Sequence, residues 1–215
     1  NKFHVSYNGK FSPKNKVFKD CIIKRLFSFI KIDPPKLLFS ISKNFPYKAG
    51  LGSASSNAAT VIKILENLEI IKIKNILDYV DLGADIPLFL NQKDSLIRGK
   101  GELIENIFFP KYYFLIIQPS FKCSTNKMYQ SFQSSDFNYN SEFDLKEIND
   151  FDTGNDFEKI LEKNEPEFLL IINFLKNLDG SIFSRLTGSG SCVFSVFETM
   201  EEVIKAKNIF NKEFP

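Results

Sequence analysis

The sequence predicts an α+β fold, on three observations. In the last third, an amphipathic helix, two strand-like segments and a final helix follow one another, the element order of an α+β half. In the first third, a strand runs into the small-residue stretch AGLGSASSNAAT, residues 49–60, and from there into a helix, an arrangement that marks a distinct half. Between the two, residues 130–154 are polar, acidic and without periodicity, which reads as a long connection with room for one helix.

Taken in order, Phe3 to Tyr7 alternates and ends at the turn pair Asn8-Gly9, which predicts a hairpin edge. From Lys16 to Ile30 the apolar side chains Val17, Phe18, Ile22, Ile23, Leu26, Phe27 and Ile30 keep helical spacing, and Asp33-Pro34-Pro35 stops the helix. Leu37, Phe39 and Ile41 then alternate with Leu38, Ser40 and Ser42 as a strand does. After the small-residue turn, Val61, Ile62, Leu65 and Leu68 line one face of a helix over 58–68. A shorter helix is predicted over 74–82, and strands over 95–98 and 112–118. The last third holds a helix over 167–178, strands over 182–186 and 192–197 around a glycine-rich turn, and a helix over 200–210.

Composition removes several classes of function. No run approaches the roughly 18 apolar residues of a membrane span, and the opening NKFHVSYNGK lacks the apolar core of a signal peptide. Cys21, Cys123 and Cys192 stand far apart and there is a single histidine, so neither a disulfide framework nor a zinc site is indicated, and no acidic pattern suggests another metal site. A cytoplasmic chain with no membrane partner is expected. Lys plus Arg exceeds Asp plus Glu only by 28 to 26, too balanced to point to nucleic acid. The basic run 10–25 and the acidic run 136–167 read as solvated faces. The chain lacks an initiator Met and opens in a strand-like stretch, so a preceding N-terminal piece is expected.

A strand, a glycine-rich turn and a helix start together make an anion site. Glycines let backbone N–H groups approach a ligand, and the helix N-terminus adds its positive dipole. Ser53, Ser55 and Ser56 offer hydroxyls that can also cap the first turn. Neither GxxxxGK[ST] nor a complete GxGxxG is present. On its own, the turn equally suits a tight strand-to-helix connection.

The wider stretch PYKAGLGSASSNAAT resembles the phosphate loop of the GHMP kinases, a superfamily of small-molecule kinases with a pattern close to P-x-x-x-G-L-G-S-S-A-A. LGADIPLFL at 82–90, RGKGE at 98–102, PSFKCSTNKMY at 119–129 and SRLTGSGSCVF at 184–194 follow in the family's order, so the resemblance covers nearly the whole chain. LGADIP, RGKGE and LTGSGSC together resemble the branch that phosphorylates 4-diphosphocytidyl-2-C-methyl-D-erythritol. The alternatives are another small-alcohol kinase of homoserine or mevalonate type, or a non-catalytic nucleotide-binding relative. Where that branch usually has further glycines this chain has Ser53 and Ala54, and a working loop is still expected.

The resemblance implies a two-domain α+β architecture with the active site at the domain junction: residues 1–119 as the phosphate-loop domain without its first strands, and 120–215 as the C-terminal domain. It implies ATP and Mg²⁺, a small-molecule substrate, and a monomer or homodimer. Asp85 matches the catalytic aspartate, the general base or at least the group that orients the substrate hydroxyl; without the family it would read as a turn or cap residue. Lys43, Ala49, Gly50, Leu51, Gly52, Ser53, Ala54, Ser55 and Ser56 match the nucleotide side. Thr125 and Tyr129 match substrate contacts, Tyr129 stacking on the cytosine unless it is merely a packed helix residue, and Gly188 and Gly190 belong to the turn that closes over the site. Asn15-Lys16-Val17 resembles a segment near the adenine, Arg98 to Glu102 reads as active site or hairpin, and His4 as exposed and uninvolved. The family's partner lysine and its cytosine contacts lie on a first strand resembling PAKINL, ahead of this sequence, and neither Lys2 nor Lys10 has the matching pattern.

Overall fold

The computed structural model describes residues 3–12, 21–46, 48–132 and 154–215. The chain divides into two compact units. One comprises residues 1–47 and 52–109, the other residues 48–51 and 110–215, so the change of unit falls ahead of residue 120. The expected helix start at 16–21, the Asn15-Lys16-Val17 segment, Lys2 and most of the 130–154 connection lie wholly or largely outside the described residues.

In the first unit, strand β1 (His4–Asn8) pairs with β2 (Leu38–Ser42), His4 opposite Leu38 and Asn8 opposite Ser42. The pairing is parallel, so the expected hairpin at Asn8-Gly9 does not form. The turn pair does turn the chain, with Gly9 at φ +91, but it lays Phe11 against the end of β2, its N–H donating to Lys43 O at 3.0 Å. Parallel neighbours need a crossover, and helix α1 (Ile22–Ile30) lies within it. Ile23, Leu26 and Phe27 are the buried stripe of α1, and the helix ends at Lys31 in the left-handed region, just before the two prolines.

Helix α2 spans Ser53–Asn67 and starts earlier than the 58–68 expectation. Its buried residues begin at Ala58, so the first turn carries no apolar signal from which periodicity can place it. Over 74–82 the structure has only a 3₁₀ turn at Ile76–Tyr79: Asn75 Oδ1 accepts from Leu77 N at 3.0 Å, a local bond that competes with a longer helix. Helix α3 (Ile86–Asn91), with a proline in its first turn, was not expected, since six residues are too few to show a period. Strands β3 (Ser95–Arg98) and β4 (Leu103–Asn106) form an antiparallel hairpin, so Arg98 to Glu102 is its turn, with Arg98 Nη1 3.2 Å from Glu105 Oε2. Ile23, Leu26, Ile62, Leu65 and Ile86 sit at the centre of this unit's core.

In the second unit, β5 (Tyr113–Ile117), β6 (Ser184–Leu186) and β7 (Val193–Phe197) form an antiparallel sheet in the order β5-β7-β6. Val193, Ser195 and Phe197 are fully buried, and Ser181 satisfies the hydroxyls of Ser195, at 2.7 Å, and of its buried neighbour Ser184, at 3.3 Å. Helices α4 (Thr125–Gln130), α5 (Glu158–Asn164), α6 (Pro166–Lys176) and α7 (Met200–Glu213) complete the unit. Thr199 and Glu202 form a reciprocal capping box that starts α7. Phe168, Ile172, Leu175, Leu186, Val193 and Phe197 carry the core, each worth about 1.5–3 kcal/mol of burial.

Candidate active site

Two amides and a hydroxyl, donating to the carbonyls of Lys48 and Ala49, build the first half of the small-residue loop. Thr187 Oγ1 donates to Ala49 O at 2.6 Å and lies 3.0 Å from Cys192 O; Cys192 N donates to Ala49 O, and Ser191 N to Lys48 O, both at 3.3 Å. Residues 48–50 are thereby stitched to the glycine turn 187–192. The contact is close enough to demand glycine: at Gly50, φ +72, a Cβ would lie 1.9 Å from Thr187 O. Gly188 approaches from the other side, where a Cβ would lie 3.0 Å from Gly50 O.

From Gly52 the chain belongs to the first unit. Gly52, φ +62, is the residue before α2, and no side chain caps the helix start. This corrects the expectation that Ser53, Ser55 and Ser56 do so. They lie inside the first turn with Ala54, and Ser56 N already donates to Gly52 O at 2.9 Å. The first-turn amides therefore point out of the helix with the positive end of its dipole behind them. Within this unit, a left-handed glycine followed by an uncapped helix start fits a phosphate group.

Asp85 stands immediately before α3 without capping it, so it is not the helix-cap aspartate of the alternative reading. Its carboxylate faces α2: a Cβ on Gly52 would lie 3.9 Å from Asp85 Oδ2, and one on Gly83 would lie 3.6 Å from Ser55 Oγ. On the opposite side Gly101 passes so close that a Cβ would lie 2.3 Å from Ala84 O. Glycines on three sides thus bring the Gly83-Ala84-Asp85 turn against the start of α2 and the β3–β4 turn. The Asp85 side chain reaches solvent, yet the surrounding mass hampers hydration of its charge and holds its pKa above the ordinary carboxylate value. Lys43, at the exit of β2, donates its N–H to Asn8 O at 2.7 Å; burial lowers its ammonium pKa, with the Cys21 thiol acting the other way.

The second unit gathers the remaining residues. Thr125, first in α4, meets Ser189 of the glycine turn hydroxyl to hydroxyl at 2.9 Å. Gly190, φ +83, lies over Cys123, whose Sγ would be 2.8 Å from a Cβ there. Burial pushes the Cys123 thiol up to about 11, so it is no nucleophile near neutrality. Tyr129 is 65% exposed, its ring edge-on to Phe157 at 5.0 Å, and is therefore not a packed core residue. His4 is exposed on β1.

Two residues escaped the sequence reading. Asn155 Nδ2 donates to Leu186 O at 3.0 Å and to Gly188 O at 2.8 Å, and the buried Glu158 Oε1 accepts from Leu186 N at 2.7 Å. Their signal was an Asn just before an unrecognised short helix. Among the described residues no group of three or more His, Cys, Asp or Glu could hold a metal ion, and no helix is long and apolar enough to cross a membrane.

Comparison with known proteins is consistent along the chain. The model of the GHMP kinases N terminal domain matches residues 15–90, and that of the GHMP kinases C terminal matches residues 140–215. A protein of Francisella tularensis named 4-diphosphocytidyl-2-C-methyl-D-erythritol kinase is 34% identical over 89% of this chain and 68% of its own length. One of the same name from Blochmanniella pennsylvanica is 35% identical over 74% of this chain, and the match spans 54% of that relative. The crystal structure of a 4-(cytidine 5'-diphospho)-2C-methyl-D-erythritol kinase superimposes with a TM-score of 0.75 over 97% of this chain and 79% of that one, at 22% identity, a likeness of fold.

Proposed function

The chain belongs to the GHMP kinase family, and from that premise we propose that it transfers the γ-phosphoryl group of ATP to the 2-hydroxyl of 4-diphosphocytidyl-2-C-methyl-D-erythritol, a step of non-mevalonate isoprenoid precursor synthesis. The names of its relatives support the substrate. The observation that carries the chemistry is the Asp85 carboxylate set against Gly52, where α2 begins with no side-chain cap.

Phosphoryl transfer asks a protein for positioning, charge neutralisation and a destination for the hydroxyl proton. The backbone amides of Gly50 to Ser55 and the hydroxyl of Ser56 cradle the nucleotide phosphates, with Ala49 and Leu51 shaping the loop and Lys43 as a cation on the nucleotide side. Mg²⁺, when bound with the nucleotide, would supply further neutralisation of the phosphate charge. As the bond from the γ-phosphorus to the ADP oxygen breaks and the bond to the substrate 2-oxygen forms, the Asp85 carboxylate takes the hydroxyl proton. Its raised pKa makes it a better base than an ordinary aspartate. Thr125 and Tyr129 take the substrate, and Gly188 and Gly190 let the turn close beside it. Three free, buried cysteines support a reducing, cytoplasmic setting.

The test is ADP release by the protein expressed from its full reading frame, with the cytidine substrate, homoserine and mevalonate side by side. Turnover confined to the cytidine substrate is the expected result. Turnover with homoserine or mevalonate instead would move the chain to another branch, and none at all with nucleotide still bound would make it a non-catalytic relative.

A further inference from the structure

The glycine turn 187–190 follows β6, and β6 is an edge strand: β7 lies on one side of it and no described strand on the other. Edge strands leave a row of backbone groups open. Here the start of α5 covers them. At Leu186, the last residue of β6, Asn155 Nδ2 takes the carbonyl at 3.0 Å and Glu158 Oε1 takes the N–H at 2.7 Å. The same Asn155 amide group reaches one step further, to Gly188 O at 2.8 Å, beyond the last strand residue. Asn155 Oδ1 is itself fixed by Phe157 N at 3.0 Å, so all its arms are engaged and its direction is set.

Gly188 is the residue whose backbone packs on Gly50, and Thr187, between the two carbonyls that Asn155 holds, donates to Ala49 O at 2.6 Å. The path from Asn155 to the loop is thus a single turn held from both sides. On the kinase reading above, we infer that Asn155 is a positioning residue for nucleotide binding, fixing the Thr187–Gly188 backbone against which the phosphate loop takes its shape. A carbonyl released at Gly188 would let the turn rotate away from Gly50 O, and small displacements at a phosphoryl-transfer site are costly.

Asn155→Asp isolates this role. It keeps the size of the side chain and the oxygen that accepts from Phe157 N, but replaces the amide donor with an oxygen that repels Leu186 O and Gly188 O. Calorimetric ADP binding is measured on the full-length protein, with Asn155→Ala as a second variant that adds no charge and Val203→Ala as a control. Val203 is buried on α7, away from the turn, and its truncation lowers stability without touching these bonds. The expected result is an ADP Kd weakened about tenfold or more in either folded Asn155 variant, with Val203→Ala unchanged at a matched loss of Tm. An ADP Kd within twofold of wild type in the Asn155 variants, or an equal weakening in Val203→Ala, overturns the proposal. Wild-type protein that binds ADP but phosphorylates no alcohol sinks the kinase reading alone, because the ADP comparison still decides the role of Asn155.

Discussion

Asp85 carries a charge that its surroundings hydrate poorly, and that fact has two measurable consequences. The first concerns pH. As the proposed base, Asp85 is active when deprotonated and its folded pKa is raised, so kcat/KM should be full above that pKa and fall as pH drops through it, at a pH above the ordinary carboxylate value of about 4. A pH–rate profile whose acid limb sits at the ordinary value would remove Asp85 as the titrating base. The second concerns stability. A carboxylate whose folded pKa is raised binds protons more readily folded than unfolded, so its charged form costs stability at neutral pH and the cost disappears below the unfolded pKa. Asp85→Asn should lose turnover by roughly 10²-fold or more while melting at or above the wild-type Tm at pH 7 and level with it at acid pH. A variant that keeps turnover, or melts well below wild type at pH 7, contradicts this account. Tyr129 belongs to the same scale: exposed and edge-on to Phe157, it should give up roughly 1–3 kcal/mol of cytidine-substrate affinity on truncation to Ala, the range of base–aromatic stacking, and an unchanged affinity would leave it a surface residue.

At the scale of elements, what the sequence made legible was whatever carried an apolar period. The buried stripe of α1, the body of α2, the sheet strands β5, β6 and β7 and helix α7 all announce themselves through core-facing residues. The first turn of α2 does not, because Ser53 to Ser56 bury little, so an apolar period starts the helix only at Ala58 and leaves the serines to read as caps. Short elements failed for the same reason: α3, α5 and β4 each complete too few turns or steps to show a period. The β1–β2 pairing failed because a turn pair says that the chain reverses without saying which strand it meets. Glycine chemistry at the elements' joints is directly testable. Gly50→Ala forces a methyl group into the Thr187 carbonyl, and ADP affinity should fall by more than tenfold. Gly180→Ala also has a positive φ, but meets only the flexible Glu202 side chain at 3.1 Å, so it should cost about 1–2 kcal/mol as a left-handed non-glycine residue and leave ADP binding intact. Equal losses in the two would show that conformation alone, and not the closeness of Thr187, keeps Gly50 a glycine.

Across the whole molecule, two separate cores carry the two sets of residues on which the proposal rests: a carboxylate and a helix start in the unit of Ile62 and Leu65, and a glycine turn with Thr125 and Tyr129 in the unit of Phe168 and Phe197. Both sets stand in motifs that keep local spacing, which is why the sequence names them. The side chains that hold the second set, Asn155 and Glu158, were invisible because their partners are backbone atoms about thirty residues away, which no spacing rule reports. Truncating either core should cost about 2–5 kcal/mol, as for Leu175→Ala in chemical denaturation; a smaller loss would mean that α6 repacks around the gap. The hydrogen bond from Thr187 to Ala49 spans 138 positions of chain. A ribosome making this protein has therefore translated Ala49 long before the residue that gives the loop its shape exists. The loop therefore waits for residues far downstream to be made, and on the proposed reading nascent chains arrested before Thr187 should emerge unable to hold ATP while chains arrested well beyond Cys192 hold it.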